Sequence, residues 1–137
     1  MYYASRCDLG DRKREQNERL PPKEQYVNED STAAVVFDDI HRSTEREAGL
    51  FVVADGAGGE DAGDVASYLA TSVISEELAD YVVEMVADDP ASADVDIPAA
   101  VAPGGDREDP EEAITEAIQA AQARIVEYAK AAEDEKA

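Results

Sequence analysis

Asp55 stands where a run of five apolar residues, Leu50-Phe51-Val52-Val53-Ala54, meets the turn Gly56-Ala57-Gly58-Gly59. The run is short and β-branched enough to read as a buried strand, and the glycines free the backbone for a sharp turn beyond it. A carboxylate at a rigid strand end, beside glycine carbonyls, offers the hard oxygen donors that magnesium and manganese take. The residues alone leave two readings open, a divalent-cation site or a plain tight turn into a helix. Phosphate-loop chemistry is excluded, because no lysine followed by serine or threonine ends the glycine run, and Gly56, Gly58 and Asp61 break the dinucleotide fingerprint. Asp55, Glu60, Asp61 and Asp64 also make the turn strongly anionic, so a bare phosphate would be repelled.

Other reactive side chains are few. His41, the only histidine, has no acid-base partner at a predictive spacing, reads as a surface residue and supports no catalytic triad. Cys7 is alone, cannot staple the fold and reads as a reduced residue near a strand. The bases Arg12-Lys13-Arg14 lie in a polar stretch, Gly10 to Gln25, that reads as an exposed loop with Pro21-Pro22 breaking any helix.

The elements that must position Asp55 follow from periodicity. Residues 1–8 suggest a first strand and Thr32–Phe37 a second, with 40–49 a charged connection to the strand at 50–54. A helix is expected from about Ala62 to Ala87, its apolar face formed by Val65, Leu69 and Val73 and widened by Ala66, Ala70, Ile74, Leu78, Val82 and Met85. Residues 88–109 read as an acidic Pro/Gly/Ala insertion. Asp109 then suits an N-cap, Pro110 the first helical position and Glu112 the capping-box position, opening a second helix. Its expected stripe is Ile114, Ile118, Ala121, Ile125 and Tyr128, and the tail 131–137 is expected to fray. The fold class is therefore α+β: two to three β-strands followed by two antiparallel helices. So few strands leave open sheet edges, and the chain reads as part of a larger architecture.

Thirty-three acids against twelve bases give a net charge of −21. Such a surface disfavours nucleic acid, whose phosphates need a basic face, and no apolar stretch is long enough for a membrane helix. Dense carboxylates on a periodic, foldable chain suggest a salt-rich, haloarchaeal-like cytoplasm. The charge is uneven: residues 1–46 hold ten acids and eight bases, residues 47–137 twenty-three acids and four bases. An anionic substrate is better tolerated near the front of the chain.

Asn28-Glu29-Asp30-Ser31, then Phe51 to Gly59, then Ala62-Gly63-Asp64-Val65-Ala66-Ser67 together resemble the metal-dependent type 2C (PPM) protein phosphatases. The likeness spans residues 5–87, and the helix after Pro110 fits the family's second helix. It implies the first half of an αββα sandwich, with 1–137 a partial domain. It also implies hydrolysis of phosphoserine and phosphothreonine in proteins by a water bridging two Mg²⁺ or Mn²⁺ ions. By motif, Asp55 bridges the metals, the Gly56 carbonyl ligates one, Glu29 holds a metal directly or through water, and Asp30 supports metal-bound waters. The phosphate-gripping arginine usual four residues before the metal glutamate is Gln25 here. Arg14-Glu15-Gln16-Asn17-Glu18 offers the arginine at the right spacing, but Arg19 replaces the following aspartate. An insertion that folds Arg14, or Arg12, back over a site at Glu29 is preferred to a site at Glu18. Ala57 stands where some members carry a histidine general acid. The family's later Ser-Asp-Gly and Asp-Asn motifs are not in these residues, so the remaining ligands are expected from a missing C-terminal half or a second chain. The alternative is a catalytically inactive relative that binds a metal or a partner.

Overall fold

The computed structural model describes residues 3–41, 44–57, 62–87, 98 and 108–137. In chain order it comprises helix α1 (Asp11–Asn17), a 3₁₀ turn (Pro22–Glu24), strands β1 (Ser31–His41) and β2 (Thr44–Ala54), and helices α2 (Gly63–Ala87) and α3 (Pro110–Lys136). The two strands pair antiparallel with Ser31 opposite Ala54 and His41 opposite Thr44, forming a two-stranded sheet. This is the expected α+β class, with the two long helices, α2 and α3, following the hairpin.

Alternation along the hairpin sends Val35, Phe37, Ala48 and Leu50 toward α2, where Val82 and Val86 close the first core cluster. Leu78 of α2 meets Ala113 and Ala117 of α3 in a second cluster that Leu50 also joins. Tyr81 near the end of α2 donates to the Glu108 carbonyl before α3, while Ala62 and Ala66 share a groove with Ile125 and Tyr128. The two helices therefore run antiparallel. Because α2 is covered by the hairpin on one side and α3 on the other, its apolar residues spread round the helix instead of forming one stripe.

Several sequence expectations are corrected. The segment 10–25 is exposed as expected but is not all loop: Arg-Lys-Arg-Glu-Gln are good helix formers, and α1 forms over Asp11–Asn17 without any buried residue, ending before Pro21-Pro22. Residues 3–8 form no strand; Cys7 and Asp8 are instead held by side-chain hydrogen bonds. The connection 40–49 is mostly strand, because Arg46 lies opposite Asp39 in the register and its guanidinium grips that carboxylate through both Nε (2.8 Å) and Nη2 (2.5 Å). The last turns do not fray, as Ala, Glu and Lys carry α3 to Lys136.

The seam of α3 is also shifted. Ala113, Ala117 and Ala121 are buried, whereas Ile114 and Ile118 remain about half exposed and flank the contact. Small side chains at four-residue steps let the helix axes approach closely, so alanine takes the seam. On α2, Val86 is buried and Met85 exposed. Apart from Pro98, Glu108 and Asp109, the 88–109 insertion lies outside the described residues, as do the His41 side chain and Gly58 to Asp61 of the glycine turn.

Candidate metal centre

The hairpin joins two motifs that are distant in sequence. With Ser31 opposite Ala54, continuing the register beyond the strands sets Asp30 across from Asp55 and Glu29 across from Gly56. Backbone packing there is tight. A Cβ on Gly56 would lie 2.3 Å from the carbonyl oxygens of both Glu29 and Gly63. Only glycine lets β1, β2 and the start of α2 converge at this point. A Cβ on Gly63 would meet the Glu29 carboxylate itself, with Oε1 at 2.8 Å, so this acid lies against the first turn of α2. The positive end of a helix dipole suits such a carboxylate.

The turn 28–30 is braced from both sides. Asn28 Oδ1 accepts from the Asp30 amide at 3.1 Å. The Cys7 thiol donates to the Asp30 carbonyl (3.2 Å) and accepts from Asn28 Nδ2 (3.1 Å). Asp8 accepts from Arg6 at 2.6 Å and from Arg14 at 3.1 Å. The hydrogen bond from Arg6, then the Arg14 charge, hold its carboxyl below the usual aspartate range. Behind the motif, Ser31 Oγ and the buried Ser67 Oγ lie 3.0 Å apart, tying β1 to α2.

These segments enclose an open cleft of about 720 Å³ whose walls include Asp8, Asp11, Arg12, Lys13, Glu29, Asp30, Asp55 and Gly56. The structure thus gathers four of the sequence-derived candidates, Glu29, Asp30, Asp55 and Gly56. Arg12, not Arg14, lines the cleft. Arg14 is occupied by Asp8 and by the Leu9 carbonyl at 2.8 Å. Glu18 caps α1, is exposed and lies off the cleft.

The donor set fits a hard divalent cation, since the lining offers carboxylate and carbonyl oxygens and neither histidine nor cysteine. Among the described residues, triplets of carboxylate oxygens all within 4.8 Å of one another occur elsewhere, at Asp38/Glu45/Glu47 and at Glu108/Glu112/Glu116. Within the cleft, Glu29 instead faces Lys13 Nζ at 3.9 Å. Sequence reasoning assigned no role to Lys13, Asp8 or Cys7 here. The only signal was the cluster of bases at 12–14, whose helical placement was not foreseen.

The described residues thus form an α+β unit with a carboxylate-lined cleft at the open end of the hairpin, beside the start of α2. Residues 24–137 match the family model for protein phosphatase 2C, and the chain belongs to that family. It is a family of protein phosphatases that act on phosphoproteins and are generally metal-dependent. Neither a curated protein nor a solved structure matches the chain.

Proposed function

We propose that this chain contributes the Glu29–Asp55 side of a phosphoserine/phosphothreonine protein phosphatase centre that uses Mg²⁺ or Mn²⁺. The observation that carries the reading is the meeting of Glu29, Asp30, Asp55 and Gly56 on one cleft beside Arg12 and Lys13, in a chain of this family. Asp55 and the Gly56 carbonyl, with Glu29 opposite, are the groups that would hold the cation, and Asp30 would orient water beside it. Bound there, a divalent cation lowers the pKa of a coordinated water and offsets the charge of the phosphoryl oxygens. Arg12 supplies the fixed positive charge that draws a phosphorylated side chain into an otherwise anionic cleft.

The acidic surface, at net charge −21, belongs to a salt-rich cytoplasm.

The test is Mn²⁺-dependent hydrolysis of a phosphothreonine peptide in molar KCl, for the wild type and for Asp55→Ala. Hydrolysis that is lost in Asp55→Ala supports the enzyme. Metal binding without turnover would favour the inactive, metal-binding relative, and the absence of both would contradict the assignment of the cleft.

A further inference from the structure

The excursion between Asn17 and Val27 has a definite construction. Asn17, the last residue of α1, uses its side-chain amide as a strand would use its backbone: Oδ1 accepts from the Tyr26 amide at 2.6 Å, and Nδ2 donates to the Tyr26 carbonyl at 2.8 Å. Gln25 Nε2 closes the loop by donating to the carbonyls of Leu20 and Asn17. Lys13 lies four residues before Asn17, one turn earlier on the same face of α1. Its ammonium therefore arrives above Tyr26, 5.7 Å from the ring centroid, and 3.9 Å from Glu29 Oε2. One cation is held between an aromatic face and a carboxylate of the candidate centre.

From this juxtaposition we propose that Lys13 is a placeholder cation for the metal centre, neutralising Glu29 until a divalent ion takes that carboxylate and displaces it. The inference rests on the reading of the cleft as a metal site. A loose pair at 3.9 Å, with the lysine side chain about half exposed, suits displacement: it reduces the mutual repulsion of the cleft acids yet competes only weakly with a divalent charge. Arg12 shares the cleft, but no ion pair joins it to Glu29 among the described residues.

Calorimetric titration of the full chain with MnCl₂, in low and in molar salt, tests this with Lys13→Gln, Arg12→Gln and Asp55→Asn. Both base substitutions are on exposed parts of α1, so folding is retained. Lys13→Gln should tighten Mn²⁺ binding about two- to fivefold at low salt, the scale of an exposed ion pair, with the gain shrinking as salt screens it. Arg12→Gln should give less than half that gain. Equal gains for the two variants, or none for Lys13→Gln, overturn the placeholder role while loss of binding in Asp55→Asn leaves the metal centre standing. If neither the wild type nor any variant binds Mn²⁺, the metal centre and the placeholder fall together.

Discussion

A methyl group at Gly56 would sit 2.3 Å from two backbone oxygens, neither of which can swing aside, whereas one at Gly63 would press on the movable end of Glu29. The two glycines therefore carry different expectations. Gly56→Ala should destabilise the fold by about 2 kcal/mol or more, as forced overpacking does. Gly63→Ala should leave stability within about 1 kcal/mol of wild type, because alanine is the better helix former, while moving the Glu29 carboxylate. Urea unfolding reads the first effect. A Mn²⁺ titration reads the second as weakened binding in a protein that still melts cooperatively. Glu29 thus occupies space that the absent Cβ of Gly63 leaves free, faces the charge of Lys13 and has its backbone packed on Gly56.

At the scale of elements, the start of α3 offers a clean pair of tests. Asp109 accepts from the Glu111 amide at 2.9 Å, so Asp109→Ala should cost about 1 kcal/mol of stability in denaturant unfolding. Next to it, the exposed Glu108 loses some hydration to its neighbours and faces the charges of Glu116 and Glu112, and these effects hold its carboxyl above the usual glutamate range. A raised folded-state value means that the favourable contribution exists below the unfolded pKa and is lost as pH rises through the folded one. Glu108→Gln should therefore raise the melting temperature at neutral pH, and the gain should vanish once the solution is acid enough to protonate the wild-type carboxyl. A constant gain across that range would contradict the repulsion.

The elements also show what the residues alone made legible. The strand before Asp55, the long helix after it and the Asp109–Pro110 start of α3 all carry local signals, apolar runs and capping residues, and they form where expected. The outer halves of the strands carry Asp38, Asp39, Glu45 and Arg46, whose suitability for a ladder depends on the cross-strand partner and not on residue type. Helix α1 has no apolar face at all and depends on Asp8, Leu9 and Tyr26, which are contacts outside itself. The same division applies to the cleft. Glu29 and Asp55 were legible from the motifs around them, but the preference for Arg12 over Arg14 depends on a helix that sequence periodicity could not reveal.

For the whole molecule, the hairpin has one face on α2 and one turned away from it. On the latter, Phe51 is 53% and Val53 77% exposed, with Tyr3 set edge-on against the Phe51 ring at 5.6 Å. Core and surface thus make opposite demands on solvent: a small apolar core resists unfolding while thirty-three acids repel one another around it. Raising KCl from low to molar concentration should increase the melting temperature steadily, because screening removes that repulsion. A flat response would argue against a surface adapted to salt. Val53→Thr, at an exposed position, should change stability by less than about 0.5 kcal/mol.

The whole molecule brings two motifs to one cleft by way of a single hairpin, and the central claim is that this cleft holds a divalent cation. The direct measurement is a calorimetric Mn²⁺ titration of the wild type beside Asp55→Asn and Glu18→Gln in molar KCl. The predicted result is saturable binding by the wild type and by Glu18→Gln, weakened at least about tenfold in Asp55→Asn, as expected when a ligating carboxylate is lost. Unchanged affinity in Asp55→Asn, or its loss in Glu18→Gln instead, would contradict the account.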